Sequence, residues 1–210
     1  MKSPRSLDEA IEYVYAARPA AFKISPIQIR SELRNFLKFV QKLRPRSILE
    51  IGTGRGGTLF LLARVAAPDA VLVSVDLSSL KDLRFGGGDV SRRRPLFEAF
   101  ALDSQRVHFL VGDSHAAETR ERVGKVFAGA AVDLLLIDGD HTAEGVKRDF
   151  ELYSDLVGPG GVVALHDIVD GRPEFVGGVP DFWRSIKTRD ALEFIADSRQ
   201  GGYGIGVLRR

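Results

Sequence analysis

Short apolar runs alternate with helical segments along most of this chain, and this alternation constrains the fold more than any other feature. The runs are rich in Val, Leu and Ile and lack the strict apolar–polar alternation of a half-exposed strand. They lie at residues 47–51, 71–75, 107–111, 132–137 and 161–165. Such runs are typical of strands that are covered on both faces, so the sequence predicts a buried, parallel sheet.

Apolar residues at helical spacing separate these runs. For example, Ala143, Val146, Phe150 and Tyr153 fall on one stripe of a helix that we predict over 142–157. The predicted helices lie at 7–17, 27–43, 57–67, 114–127, 142–157 and 182–189. Strands that alternate with helices in this way predict an α/β fold, a Rossmann-like, doubly wound sheet with helices on both faces.

Two parts of the chain depart from this alternation. Residues 77–105 form a long connection with runs of glycine and arginine, and we predict that it is a lid over the carboxyl ends of the strands. Residues 192–196 and 203–208 are joined by a glycine-containing segment, which predicts a hairpin at the edge of the sheet. We assign residues 1–45 to an N-terminal helical extension and 46–210 to the main domain.

Composition excludes several kinds of site and partner. The sequence has 0 cysteines, which removes disulfides, thiolate nucleophiles, cysteine-ligated zinc and iron–sulfur clusters. Its formal net charge of +2 is too small to argue for a nucleic acid as a partner. No apolar run approaches the roughly 18 residues of a membrane-spanning helix, and the polar start is unlike a secretory signal. We therefore predict a cytoplasmic protein that does not associate with membranes.

Acidic side chains follow the end of each predicted strand. They are Glu50, Asp76, Asp113, Asp138 with Asp140, and Asp167. Ligands of an open parallel sheet bind outside the carboxyl ends of its strands, so these acids would form one binding rim. We favour this interpretation over five separate helix caps. Asp140 is the exception, because an Asp, or Thr142, before the predicted helix is usually an N-cap, and we favour this role for Asp140.

The loop after the first strand is a candidate nucleotide-binding loop. It reads EIGTGRGG, and its residues Gly52, Gly54 and Gly57 match G-x-G-x-x-G, with Asp76 at the spacing of a ribose-binding acid. An NAD-dependent oxidoreductase is therefore one alternative. Glu50 favours another adenosine ligand, because a carboxylate at this place attracts a cation and repels a pyrophosphate. S-adenosylmethionine has a sulfonium and an ammonium group and no phosphate.

Several motifs together resemble those of class I S-adenosylmethionine-dependent methyltransferases. Leu49-Glu-Ile-Gly-Thr-Gly54 resembles their first motif, Asp76 their ribose-binding acid, and Gly112-Asp-Ser114 their adenine-side motif. Gly158-Pro-Gly-Gly161 resembles the turn into their fifth strand. The resemblance covers residues 46–168 and implies a seven-strand sheet, mostly parallel with an antiparallel last strand. The implied donor-binding residues are Glu50, Gly52, Thr53, Gly54, Asp76, Leu77, Asp113 and Ser114.

The later motifs are similar to a narrower group, the cephalosporin-hydroxylase-like and macrolide-sugar O-methyltransferases. The similar sequences are Ile137-Asp-Gly-Asp-His-Thr142, His166-Asp167 and Gly178-Val-Pro-Asp-Phe-Trp183. This resemblance implies a divalent metal, Mg²⁺ or Mn²⁺, with Asp138, His166 and Asp167 as its ligands and His141 as the general base. The group more often has an acid at the position of His166, and an imidazole suits Mn²⁺, Fe²⁺ or Zn²⁺ at least as well as Mg²⁺.

The reaction that follows is methyl transfer to a hydroxyl of a small molecule or sugar. Such a displacement requires mainly that donor and acceptor are aligned. A hydroxyl is a poor nucleophile at neutral pH, and a metal with a neighbouring histidine would activate it. A non-catalytic S-adenosylmethionine-binding relative is a second alternative, which only His166 favours. We expect a small-molecule acceptor rather than a nucleic acid, and leave open whether the N-terminal helices cover the substrate or form a homo-oligomer contact.

Overall fold

The computed structural model describes residues 6–16, 24–77, 79–80 and 88–210, and its centre is a sheet. The strands are β1 (Ser47–Ile51), β2 (Val71–Asp76), β3 (Ser79–Leu80), β4 (Gly88–Asp89), β5 (Arg106–Val111), β6 (Val132–Ile137), β7 (Val157–His166), β8 (Leu192–Phe194) and β9 (Ile205–Arg209). Seven of them form one sheet in the order β5-β2-β1-β6-β7-β9-β8. The strands β3 and β4 form a separate two-stranded ribbon.

The direction of the strands confirms the predicted sheet. β5, β2, β1, β6 and β7 pair with one another in parallel, whereas β9 is antiparallel to both of its neighbours, β7 and β8. The predicted hairpin lies at the edge of the sheet, and β8 is its outer strand. β7 begins at Val157, earlier than the predicted 161, because Val157 already pairs with Val132 of β6; the register then shifts, and pairing resumes between Val162 and Leu134.

Helices cover both faces of the sheet, as predicted. They are α1 (Leu7–Tyr15), α2 (Arg30–Leu43), α3 (Gly57–Val65), α4 (Arg94–Glu98), α5 (Ala117–Phe127), α6 (Ala143–Tyr153), α7 (Pro173–Val176) and α8 (Val179–Ile186). Neighbouring residues of β1 show the two layers, because Ile48 belongs to the cluster under α1–α4 and Leu49 to the cluster under α5, α6 and α8. Among the residues that the structure describes, no helix is long and apolar enough to cross a membrane.

The N-terminal helices share the core of the sheet. Ile11 of α1 and Leu33 and Phe36 of α2 are buried in the same apolar cluster as Ile48 of β1. The separation of an extension from a main domain at residue 45 therefore stays a prediction, since the described part of that extension packs as one more layer on the sheet.

The sequence predicts that the long connection after β2 is a lid, but the structure buries part of this connection in the core. Phe97 and Phe100 are buried, and the rings of Phe97 and Phe109 lie 5.0 Å apart, so α4 packs beside β5 in the core. This part is a wall of the fold and not a lid, because its aromatic side chains are removed from water. Residue 78 and residues 81–87 of the predicted lid lie outside the described residues.

Glu32 of α2 ties the N-terminal helices to the last loop of the chain. Its side chain is buried, with a residue exposure of 1%. The carboxylate accepts hydrogen bonds from the backbone N–H of Ala196 (2.9 Å) and Gly204 (3.0 Å) and from Nε2 of Gln200 (2.6 Å). All three donors belong to the loop between β8 and β9, so one buried carboxylate holds that loop against α2.

We predict that Glu32→Ala lowers the free energy of unfolding by about 2–4 kcal/mol, because three donors lose a charged acceptor in a buried place. Urea unfolding of the wild type and the variant would measure this difference. Glu151→Ala is the matched control, since Glu151 is exposed on α6, and its removal should change the free energy by less than about 0.5 kcal/mol. Equal losses in the two variants would contradict the assigned role of Glu32.

Candidate active site

One cleft of about 1110 Å³ lies at the carboxyl ends of the parallel strands. This is the edge at which ligands bind in open parallel sheets. The predicted site residues that line it are Gly52, Thr53, Gly54, Asp76, Leu77, Asp113, Ser114, Asp138, His141, His166 and Asp167. Glu50 is the one predicted site residue that does not line the cleft, because it lies beneath the surface. The structure thus brings the candidate donor-binding and metal-binding residues into one space.

The glycine-rich loop after β1 touches the loop after β6. Gly52 has a φ of +92°, and a Cβ at this residue would lie 2.0 Å from the carbonyl oxygen of Asp138. Only glycine permits both this φ and this approach. Gly54 also has a positive φ, +51°, but a Cβ there would meet nothing within 4 Å. The glycine-rich loop therefore contacts the loop after β6 on one side and is open to the cleft on the other.

Asp76, at the end of β2, holds the glycine-rich loop. Its Oδ2 accepts hydrogen bonds from the backbone N–H of Thr53 (2.9 Å) and Gly54 (2.8 Å), and its Oδ1 accepts one from Leu77 (2.7 Å). Burial raises the pKa of Asp76, and these hydrogen bonds oppose the rise. A carboxylate has about four acceptor positions, so the three backbone donors leave room for a ligand hydroxyl.

Glu50 lies under the same loop. The hydroxyl of Ser74 donates to its Oε2 (2.5 Å), and the Ser74 and Thr53 hydroxyls are also hydrogen-bonded to each other. Its Oε1 is buried without a hydrogen-bond partner among the described residues. Burial raises the pKa of Glu50 well above its usual range, against the effect of the Ser74 hydrogen bond. Direct contact of Glu50 with a cationic ligand stays a prediction, since the structure places this carboxyl beneath the cleft surface.

The turn after β5 forms another part of the wall. Asp113 accepts a hydrogen bond from the backbone N–H of His115 (2.9 Å), and the carbonyl oxygen of Ser114 accepts one from the Tyr153 hydroxyl (2.7 Å). Asp149 of α6 is fully buried beneath this turn, and His115 Nε2 lies 3.3 Å from its Oδ1. Burial raises the pKa of Asp149 to about 6. The turn is therefore fixed from below by two side chains of α6.

Two acids and two histidines meet at the ends of β6 and β7. His166 Nδ1 lies 3.1 Å from Asp138 Oδ1 and 3.2 Å from Asp167 Oδ2. His141 Nε2 lies 3.6 Å from the same Asp138 oxygen, and His141 Nδ1 lies 3.6 Å from Asp167 Oδ2. We call these four residues the acid–histidine cluster. Asp167 has a φ of +62°, which is uncommon for a non-glycine residue and is concentrated at functional sites.

Charge pairing dominates the electrostatics of the acid–histidine cluster. Burial opposes charge on the two histidines, but the neighbouring carboxylates still raise the pKa of His141 to about 9 and that of His166 well above its usual range. Against the same effect of burial, the two imidazoles hold the pKa of Asp138 below its usual range. The pairing therefore favours the charged forms of Asp138, His141 and His166.

The donor set of this cluster also fits a divalent cation. Asp138, His141 and Asp167 each offer one ligand atom, and these atoms lie within 4.8 Å of one another. His166 Nε2 is buried without a hydrogen-bond partner in the part of the chain that the structure describes. Carboxylate and imidazole ligands together suit Mn²⁺, Fe²⁺ and Zn²⁺, so the residues fit a metal of this kind.

Sequence reasoning missed two residues at the cluster. Gln28, two residues before α2, lines the cleft and donates from Nε2 to Asp138 Oδ2 (2.7 Å). Tyr203 donates its backbone N–H to Asp167 Oδ1 (3.0 Å) and has a φ of +62°. The glycines around Tyr203 were a usable signal of an unusual backbone, whereas no local pattern distinguishes Gln28.

The predicted cap of α6 requires a correction. Thr142 is the N-cap, because its side chain accepts from the backbone N–H of Gly145 (3.0 Å). Asp140 instead accepts from the backbone N–H of Thr142 (2.8 Å). Asp140 was assigned to the cap because an acid before a helix often has this role, but here a threonine stands closer to the first turn. The carboxylate therefore shapes the loop that leads from His141 into the helix.

Comparisons with known sequences relate this site to methyltransferases. A family model described as a methyltransferase domain matches residues 49–168. The rhamnosyl O-methyltransferase of Mycobacterium tuberculosis is 23% identical over 162 residues, which cover 75% of this chain and 60% of that protein. An uncharacterized protein of Sinorhizobium fredii is 27% identical over 195 residues, 80% of this chain and 18% of that protein. The chain thus spans less than two thirds of the length of these curated relatives.

Solved structures share the fold. An O-methyltransferase of tomaymycin synthesis from Streptomyces achromogenes, in complex with S-adenosylmethionine, has a TM-score of 0.64 and 20% identity over 98% of this chain and 89% of that chain. An O-methyltransferase from Bacillus cereus, in complex with S-adenosylhomocysteine, has a TM-score of 0.63 and 19% identity over 97% of each chain. The family match covers more than half of the sequence and includes the glycine-rich loop and the acid–histidine cluster. The chain therefore belongs to the class I S-adenosylmethionine-dependent methyltransferases, as its motifs predicted.

Proposed function

We propose that this protein transfers the methyl group of S-adenosylmethionine to a hydroxyl of a small molecule or sugar, with the assistance of a divalent metal. One observation carries the proposal: the open glycine-rich loop and the acid–histidine cluster line the same cleft. Methyl transfer from a sulfonium needs a donor and an acceptor in line, and this cleft offers adjoining places for both. The O-methyltransferases among the similar proteins support a hydroxyl as the acceptor.

The donor would lie along the glycine-rich loop. Its backbone approaches closely at Gly54, where a side chain is absent and the space is open. Asp76 retains an acceptor position for a ribose hydroxyl, and the exposed carboxylate of Asp113 is available to the adenine side. Burial disfavours the charged form of Glu50, and the positive charge of the methionyl end of the donor would favour it. The proposed donor-binding residues are Glu50, Gly52, Thr53, Gly54, Asp76, Leu77, Asp113 and Ser114.

The acceptor would be activated at the acid–histidine cluster. We assign the metal to Asp138, His166 and Asp167, because His166 Nδ1 lies 3.1 Å from Asp138 Oδ1 and 3.2 Å from Asp167 Oδ2. The trio whose ligand atoms lie within 4.8 Å of one another has His141 in place of His166. A bound divalent cation would lower the pKa of a hydroxyl and would offset the carboxylate charge that raises the pKa of His141.

His141 is our proposed base, and its orientation identifies the basic atom. Its Nδ1 lies 2.5 Å from the carbonyl oxygen of Phe175. A carbonyl oxygen accepts hydrogen bonds only, so Nδ1 carries a proton in either protonation state. Nε2 is then the nitrogen that takes up the proton of the acceptor hydroxyl.

The two alternatives differ in what they leave unexplained. An NAD-dependent oxidoreductase explains the glycine pattern but not the methyltransferase family match or the acid–histidine cluster. A non-catalytic relative explains the donor-binding loop alone. Binding measurements separate the first alternative from our proposal, and methyl-transfer assays separate the second.

We predict that S-adenosylhomocysteine stabilises the protein and that NAD does not. A ligand at 100 times its Kd adds about 2.7 kcal/mol, which should raise the melting temperature by roughly 5–10 °C for a chain of this size. Asp113→Ala should weaken this binding by about tenfold, because it removes a charged acceptor at the cleft. Asp190→Ala, at an exposed residue before β8, should leave the Kd unchanged. A shift with NAD and none with the adenosyl ligands would overturn the assigned donor.

We predict that His141→Ala lowers kcat about 100-fold or more, because a positioned general base contributes 10²–10⁴-fold. Asp138→Asn should lose activity and, in addition, its stabilisation by Mn²⁺. The assay is consumption of S-adenosylmethionine with sugar and phenolic acceptors, with and without EDTA.

The controls for this prediction are S-adenosylhomocysteine affinity and one further histidine variant. Both variants should bind S-adenosylhomocysteine within about twofold of the wild type, and His108→Gln in β5 should retain full activity. Full methyl transfer by both His141→Ala and Asp138→Asn would contradict the proposed activation of the acceptor. Donor binding without turnover on any acceptor would favour the non-catalytic alternative.

A further inference from the structure

The segment that precedes α2 reaches the active-site cleft. Ser25, Pro26, Ile27 and Gln28 all line it. The segment passes so close to the first residue of α3 that a Cβ on Gly57 would lie 2.0 Å from the carbonyl oxygen of Ile24. This part of the N-terminal region is therefore built into the wall of the site.

Gln28 forms hydrogen bonds through three of its atoms. Its Nε2 donates to Asp138 Oδ2 (2.7 Å), and its Oε1 accepts from the Thr58 hydroxyl (3.2 Å). Its backbone oxygen accepts from the hydroxyl of Tyr15 (2.7 Å). With a residue exposure of 7%, the amide is nearly removed from water and has few other partners.

The chemistry of these partners fixes the orientation of the amide. A carboxylate oxygen accepts hydrogen bonds, so the NH₂ group of Gln28 faces Asp138, with Nε2 at 2.7 Å from Oδ2. The carbonyl end is then left for the hydroxyl of Thr58. Gln28 thus occupies Oδ2 of Asp138, while Oδ1 lies 3.1 Å from His166 Nδ1 and 3.6 Å from His141 Nε2.

We propose that Gln28 is a positioning residue, which fixes the rotation of the Asp138 carboxylate so that Oδ1 is directed at both histidines. Through Tyr15 and Thr58, the same residue connects α1 and the start of α3 to the acid–histidine cluster. The N-terminal segment is therefore required for the chemistry and not only for covering the substrate. The proposal rests on the proposed function in one respect, namely that the acid–histidine cluster is the reaction centre.

The choice of an amide has an electrostatic reason. A neutral donor stabilises the charged form of Asp138 and adds no further charge to a buried cluster of two carboxylates and two imidazoles. A glutamate would place a third carboxylate there, and an apolar side chain would leave Oδ2 without its donor. Residues that orient metal ligands in this way typically change metal affinity or activity by 10–100-fold when they are removed.

The test compares Gln28→Met with Gln41→Met. Methionine keeps the approximate length and volume of the side chain but removes both amide contacts, and Gln41 is exposed on α2. We expect the Kd for Mn²⁺ alone, measured by calorimetry, to rise 10–100-fold in Gln28→Met and not in Gln41→Met. The Kd for S-adenosylhomocysteine should stay within about twofold in both variants, which a general loss of folding would not allow. A Mn²⁺ Kd within twofold of the wild type in Gln28→Met would overturn the proposal.

A second readout separates this inference from the proposed function. If the wild type binds S-adenosylhomocysteine but no Mn²⁺, the metal part of the proposed function fails, and the position of Asp138 is then read from the imidazole ¹⁵N signals of His141 and His166. We expect Gln28→Met to shift these signals and Gln41→Met to leave them in place. Unchanged signals in Gln28→Met would overturn the positioning role, whatever the metal result.

Discussion

The contact between the loops that follow β1 and β6 is the constraint on which the site depends. These strands are neighbours in the sheet, and the backbone N–H of Asp138 donates to the carbonyl oxygen of Ile51 (2.8 Å). Beyond that bond, Gly52 lies so close to the Asp138 carbonyl that no side chain fits between them. The contact places the open glycine-rich loop directly beside the acid–histidine cluster. A donor on one loop and an acceptor at the other therefore need no further movement of the sheet to meet.

Several acidic side chains lie together at and below the cleft surface. Burial raises the pKa of Glu50 and of Asp76, and the nearby carboxylate of Asp138 adds to the rise at both. At Asp138 the two histidines reverse it, because each brings a compensating positive charge. Buried charges of one sign persist only when they are paired or held by hydrogen bonds. A divalent metal that displaced the imidazole protons would leave the carboxylates of Asp138 and Asp167 to attract it.

The sequence predicted the sheet and the rim because both depend on local patterns. The apolar runs gave the five parallel strands, and β1 and β6 have the predicted ends. The acids at the strand ends follow from the topology of parallel sheets, so Asp138 and His166 could be placed at one rim although 28 residues separate them. Gln28 and Glu32 could not be found in this way. Each contacts residues more than 100 positions away, and no periodicity in the sequence records such a pairing.

Two segments contact His141 and Asp167, on the side of the cleft where we place the acceptor. One contains Gly177 and Gly178, and the other contains Tyr203. The carbonyl oxygen of His141 accepts from the backbone N–H of Gly178 (2.8 Å), and a Cβ on Gly177 would lie 1.9 Å from that oxygen. Tyr203, from the loop held by Glu32, reaches Asp167 on the other side. Because the proposed base and one proposed metal ligand are each fixed by one of these segments, a change in either segment would alter the acceptor pocket and the position of the reacting groups together. In our proposal, acceptor selectivity and catalytic alignment would therefore be coupled, whereas the donor would be held by residues at the ends of β1, β2 and β5.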